Sequence, residues 1–93
     1  MENVIEKLEA IIADRKQNAP AGSYTASLFA AGLPRIAQKV GEEGVETVVA
    51  ALSQEDERVA AEMADLIYHC LVLLAARGMR WRQVEAELAR RFK

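Results

Sequence analysis

Five carboxylates are spaced as a cation site requires: Glu42, Glu43 and Glu46 in one segment, and Glu62 and Asp65 in another. At about 100° per residue, Lys39, Glu42, Glu43 and Glu46 fall within an arc of roughly 100° on a helix. Most of the remaining circumference is apolar, with Ile36, Ala37, Val40, Val45, Val48, Val49, Ala51 and Leu52. A helix of that kind is expected to contact neighbours on several sides, so its acidic stripe is expected to face an enclosed space. In the run MADLIYHCLVLLAA the strongly polar positions are Asp65, Tyr68 and His69, and Glu62 directly precedes it. Glu62, Asp65 and His69 lie within roughly 60° of one another on an ideal helix, so each of the two helices offers one acidic pair.

Carboxylates gathered in a desolvated space repel. They must either take up protons or bind a cation. An all-oxygen donor set suits hard Mg²⁺, which keeps several waters and commonly binds a few carboxylates together with substrate phosphates. The chemistry implied is phosphate chemistry, and spacing alone names no substrate. Isolated acidic pairs are usually just a solvated face. Two acidic stripes on otherwise apolar helices, joined by a turn short enough to make them antiparallel neighbours, favour the site. A di-iron bundle would need a Glu-x-x-His pair on each of two helices, and the chain has a single histidine.

Other chemistry-bearing residues read as structural. His69 is expected to be a hydrogen-bonded core residue whose position beside Asp65 permits a supporting role. Cys70 is expected to pack, and Trp81 to anchor a core or interface. Gly41 and Gly44, each costing roughly 1 kcal/mol inside a helix, suggest close packing. Arg80, Arg82, Arg90, Arg91 and Lys93 read as solvent-facing or helix-end charges.

The elements that position the acids follow from periodicity and punctuation. Val4, Ile5, Leu8, Ile11 and Ile12 recur at three- and four-residue steps after Asn3, a candidate N-cap, so residues 3–16 read as an amphipathic helix. Pro20, Gly22, Gly32 and Pro34 break residues 17–35 into a loop around a short helix at 24–31, which Ser23 can cap. Pro34 suits the first turn of the next helix, running to about Leu52. Ser53 with Asp56 suggests the following start, giving a helix over about 54–77 that stops at Gly78. A last helix spans 81–92. With no sustained period-two alternation and no internal repeat, the fold class is all-α: four main helices plus a short one, forming a helical bundle.

At 93 residues, 52% hydrophobic and 28% charged, the chain reads as one soluble globular domain over residues 1–93, small enough that pairing with a second copy is a common way to finish the core. Twelve Lys and Arg against fourteen Asp and Glu offer no global attraction to nucleic acid or anionic membrane. One Cys excludes an internal disulfide and, with one His, cannot build a Cys/His zinc site, which fits a reducing cytoplasm. The acid-bearing N-terminus does not read as a signal peptide, and the longest apolar run, LVLLAA, is far shorter than the ~20 residues of a membrane span.

The run GSYTASLFAAGLPRIAQKVGEEGVETVVAAL, followed by EMADLIYHCLVLL, resembles the phosphoribosyl-ATP pyrophosphohydrolases of histidine biosynthesis over nearly the whole chain. These belong to the all-α, MazG-type nucleotide pyrophosphohydrolases, whose signature is Glu-Glu-x-x-Glu followed by Glu-x-x-Asp. The resemblance implies Mg²⁺ held by Glu43, Glu46, Glu62 and Asp65, with Glu42 as a supporting group or base. It implies substrate contacts from Arg35 and Lys39 and from the hydroxyls of Ser23, Thr25 and Ser27. The implied reaction hydrolyses the α–β anhydride of 1-(5-phosphoribosyl)-ATP to 1-(5-phosphoribosyl)-AMP and pyrophosphate. It further implies a bundle completed by homodimerisation, or a larger homo-oligomer. It also implies a version without the cyclohydrolase fused to some relatives, whose Cys/His metal site this chain cannot supply. A housekeeping hydrolase of ordinary or damaged nucleoside triphosphates would carry the same metal motif, and a non-catalytic helical dimerisation module is the alternative of a different class.

Overall fold

Asn3 sets the first boundary. Its side-chain oxygen accepts hydrogen bonds from the backbone N–H groups of Ile5 and Glu6, so helix α1 covers Val4–Asn18. The computed structural model of the protein describes residues 3–92, and Lys93 lies outside them. α1 runs two residues beyond the predicted end, then stops at Ala19, which takes a left-handed conformation immediately before Pro20, where continued helix is sterically disfavoured. The Ser23 hydroxyl accepts from Ala26 N–H and starts α2, Tyr24–Ala31, as predicted.

Gly32 alone separates α2 from α3, Leu33–Ser53. Its φ of 98° permits the sharp change of direction, and Pro34 sits in the first turn of α3. The predicted cap at Ser53 is corrected: Ser53 is the last residue of α3, and its hydroxyl donates back to the Val49 carbonyl. α4, Asp56–Ala76, instead follows Glu55 without a side-chain cap, its start favoured by Asp56 and Glu57 against the helix dipole. At its end Gly78, at φ 72°, allows Met79 N–H to reach the Leu74 carbonyl and Gly78 N–H the Ala75 carbonyl, satisfying carbonyls the helix leaves open. α5 covers Trp81–Arg91.

The described residues are all-helical. α3 and α4 form the most extensive pair, an antiparallel hairpin turned by Gln54 and Glu55, with α1 and α2 packed against it. Ile12, Leu28, Ile36, Leu71, Val72 and Leu74 make the buried core. Trp81 and Val84 of α5 pack on its edge, which supports the anchoring reading of Trp81. Two charged side chains tie the ends together: Lys16 donates to the Ala75 carbonyl at 2.7 Å, and Glu9 accepts from Trp81 N–H at 2.7 Å, holding the start of α5 to α1. By length and composition α4 is apolar enough to cross a membrane, with a mean hydropathy of 1.7. In this fold it is the central helix, burying His69, Leu71, Val72 and Leu74 against its neighbours.

Two expectations about α3 are corrected within this chain. Val45, Val48, Val49 and Leu52 are 63%, 58%, 48% and 83% exposed, because α3 is covered along one side only. A Cβ built at Gly41 or Gly44 would meet nothing within 4 Å, so neither glycine is explained by close packing here.

Candidate active site

The α3–α4 hairpin brings three of the four paired acids together, Glu43 and Glu46 from α3 with Glu62 from α4, and leaves Asp65 outside the group. One carboxylate oxygen each from Glu43, Glu46 and Glu62 lie within 4.8 Å of one another. The enclosure is uneven. Glu43 is buried at 7% exposure and the Glu62 side chain is 13% exposed, whereas Glu42, Glu46 and Asp65 are exposed. The stripe therefore faces a half-open recess rather than a closed space, because among the described residues no element covers the outer side of Glu46.

Glu43 carries the electrostatic signature of the site. Its Oε2 is buried with no hydrogen-bond partner, a costly state for a carboxylate. Its carboxyl is pushed up from 4.5 to about 7. The largest cause is a hydrogen bond with Glu46, which two carboxylates can make only while one holds a proton. Burial follows, then the charges of Glu46 and Asp65, with Lys39 pulling the other way. Asp65 thus acts on Glu43 although it stands outside the group of three.

The flanking charges are already paired. Arg58 donates to Glu62 Oε2 at 2.7 Å. Glu42 accepts from Gln38 at 3.0 Å and lies 3.5 Å from Lys39 Nζ and 3.8 Å from Arg35. It is thus the hub that gathers the two cations on α3. Arg58 was not singled out by sequence reasoning, although its place four residues before Glu62 is the helical spacing of an ion pair.

The hydroxyls on and beside α2 are engaged structurally. Ser23 caps the helix, Ser27 donates to the Tyr24 carbonyl, and Thr25 shares a short hydrogen bond with the Tyr68 hydroxyl on α4. His69 is the buried, hydrogen-bonded core residue predicted. Its Nδ1 lies 2.7 Å from the Asp65 carbonyl, which can only accept, so Nδ1 carries a proton, and Nε2 shares a hydrogen bond with the Tyr24 hydroxyl at 3.0 Å. Tyr24, Tyr68 and His69 also pack ring against ring. Burial pushes the Tyr68 hydroxyl and the Cys70 thiol up from their ordinary values.

The donor set suits a hard divalent cation. It is all oxygen, it includes a buried carboxylate oxygen with no partner, and the neighbouring carboxylates raise the cost of ionising Glu43, which a cation would offset. A groove of about 710 Å³ opens elsewhere, between α1 and the end of α4, lined by Ile12, Lys16, Leu71, Met79 and Arg80 among others. It contains none of the five acids, and its cations are paired, Lys16 with the Ala75 carbonyl and Arg80 with Glu9.

Comparison with known proteins places the chain in a family. The profile of the family described as phosphoribosyl-ATP pyrophosphohydrolase matches residues 5–92. The chain is 56% identical to the phosphoribosyl-ATP pyrophosphatase of Metallosphaera sedula over 93 residues, the full length of both. It is 50% identical to that of Pyrobaculum calidifontis over 91 residues, covering 98% of this chain and 97% of the relative. It is also 56% identical over 72 residues to a bifunctional histidine biosynthesis protein of Xanthomonas axonopodis pv. citri, covering 77% of this chain and 35% of that protein. With a profile match across nearly all of its length and relatives above half identity end to end, the chain belongs to the phosphoribosyl-ATP pyrophosphohydrolase family.

Proposed function

We propose that the chain is a phosphoribosyl-ATP pyrophosphatase, a hydrolase that cuts the α–β anhydride of 1-(5-phosphoribosyl)-ATP to 1-(5-phosphoribosyl)-AMP and pyrophosphate, the second step of histidine biosynthesis. Full-length relatives bearing that name support the substrate. The observation that carries the chemistry is the partnerless buried oxygen of Glu43 beside Glu46 and Glu62. Glu43, Glu46, Glu62 and Asp65 would hold Mg²⁺, which when bound neutralises phosphate charge and polarises the anhydride. Holding a cation would need Glu43 in its ionised form and would compete with Arg58 for the Glu62 carboxylate.

The chain's own residues do the rest. Glu42 keeps Arg35 and Lys39 side by side at the edge of the acids, where they receive the substrate's phosphates. Ser23 uses a lone pair for its cap and keeps its O–H free to donate to a phosphate, while Thr25 and Ser27 shape the same segment. A carboxylate of the set accepts the proton of the attacking water as the phosphorus to bridging-oxygen bond breaks and pyrophosphate leaves.

The active form is a homodimer. Val45, Val48, Val49 and Leu52 on α3 and Met63 on α4 are exposed apolar side chains that a second copy of the hairpin would cover. The compartment that suits this enzyme, with its free Cys70, is the cytoplasm.

The deciding experiment measures pyrophosphate release from phosphoribosyl-ATP by wild type, Glu46→Gln and Asp65→Asn, with and without Mg²⁺. Wild type should be Mg²⁺-dependent, and each variant should lose more than the ~10–100-fold typical of removing an outer partner of a metal ligand. Equal or better turnover of a deoxynucleoside triphosphate would overturn the substrate, and metal-independent turnover would overturn the site.

A further inference from the structure

Asp65 is the outlier of the candidate site. Glu43, Glu46 and Glu62 already converge, while Asp65 is exposed and stands outside their cluster. Where its carboxylate can reach is set by the α4 backbone that carries it. At Asp65 itself that backbone has an attachment that regular helix geometry does not supply. A helical carbonyl normally receives the N–H four residues on and keeps a second lone pair, and at Asp65 the imidazole of His69 donates to this carbonyl from Nδ1 at 2.7 Å. The far nitrogen of the same ring shares a hydrogen bond with the Tyr24 hydroxyl at 3.0 Å. A three-member chain therefore runs from α2 through a buried ring to the main chain of a proposed metal ligand.

Tyr24 is suited to anchoring rather than to filling the core. Its side is 52% exposed, so burial contributes little to holding it. What fixes it is the hydroxyl bond and its stacking on Tyr68, with centroids 6.4 Å apart. The docking of α2 on α4 does not depend on that hydroxyl, because Thr25 and Tyr68 join the same two helices by a separate bond and Leu28 is buried in the core. The hydroxyl's separate consequence is to hold His69, and through it the Asp65 carbonyl, in one position.

We propose that Tyr24, acting through His69, is a positioning residue for Asp65: its hydroxyl anchors the Asp65 carbonyl to α2 and sets where the Asp65 carboxylate stands relative to Glu43, Glu46 and Glu62. The inference rests on Asp65 being a metal ligand. It adds that part of the site's affinity is stored in α2, outside the two acidic helices.

The test is a double-mutant cycle read by Mg²⁺ binding to the free protein. Wild type, Tyr24→Phe, Asp65→Asn and the double variant are titrated with Mg²⁺ by calorimetry, alongside the Mg²⁺-induced rise in Tm. Tyr24→Phe keeps the ring and should fold, while its Kd for Mg²⁺ rises about 10-fold, the low end of the ~10–100-fold seen for outer partners. In the Asp65→Asn background the same substitution should change the Kd no further. A Tyr24→Phe protein with lower Tm but unchanged Mg²⁺ affinity, or effects that add in the double variant, would overturn the positioning role. So would a Tyr24→Phe chain that fails to fold, since the Thr25–Tyr68 bond is then not enough to dock α2. Should Asp65→Asn alone leave Mg²⁺ binding intact, the assignment of Asp65 as a ligand fails, and this proposal with it.

Discussion

Replacing Glu43 by Gln separates the cost of the site from its use. The Glu43 carboxyl sits at 4.5 in the unfolded chain and about 7 in the folded one, so the folded state holds a proton that the unfolded state releases between those values. Stability from that proton is full below 4.5 and is lost as pH rises through about 7. At pH 8 and without metal, the folded protein carries the whole penalty, about 3 kcal/mol from the difference between the two values. Gln has the shape of the protonated acid and no charge to desolvate. In a chain of this size, ~1 kcal/mol moves Tm by roughly 4–8 °C, so Glu43→Gln should raise the Tm of the metal-free protein at pH 8 by up to roughly 12–24 °C. At pH 5, where Glu43 is already protonated in the folded state, the gain should shrink to about 1 kcal/mol or less. The assay is thermal denaturation by circular dichroism in EDTA at both pH values and matched protein concentration, followed by addition of Mg²⁺. Wild type should gain stability from Mg²⁺ at pH 8, and the variant should gain little and lose hydrolysis. A variant no more stable than wild type at pH 8, or an equal difference at both pH values, would refute the claim that Glu43 is held against its own charge.

Two further outcomes test the surroundings. Val48→Asp places a charge in the exposed apolar strip of α3, about half a turn round that helix from Glu43, and should convert a dimer to monomer in sedimentation velocity; an unchanged sedimentation coefficient would move the interface elsewhere. Ser23→Asp keeps an efficient N-cap, so stability should stay within ~1 kcal/mol of wild type. Its anion should raise the KM for phosphoribosyl-ATP, and an unchanged KM would confine Ser23 to capping α2.

Much of the site was legible before folding because helices convert sequence spacing into direction. Glu43 and Glu46 share a face of α3, Glu62 starts the polar edge of α4, and the two-residue turn at Gln54 and Glu55 leaves little choice but to lay the helices side by side. The Asn3 and Ser23 caps were readable for a related reason: each bonds an amide within three residues. The Ser53 cap misled because the same hydroxyl can close the end of one helix as readily as begin the next. Gly41 and Gly44 misled because a glycine's lack of a side chain reports freedom, not which neighbour uses it.

Periodicity, capping residues and family motif by themselves determined that this protein is helical, where its helices run, which acids face one way, and what reaction the chain is suited to. Those are local properties, or properties of residue type. Only the tertiary structure decided that Glu43 is buried with a partnerless oxygen, that Asp65 stands outside the group of three, that Arg58 holds Glu62, and that Tyr24 reaches Asp65 through His69. Burial and proton affinity depend on what other helices lay over a side chain, and a contact between residues 24 and 69 has no spacing along the chain to announce it.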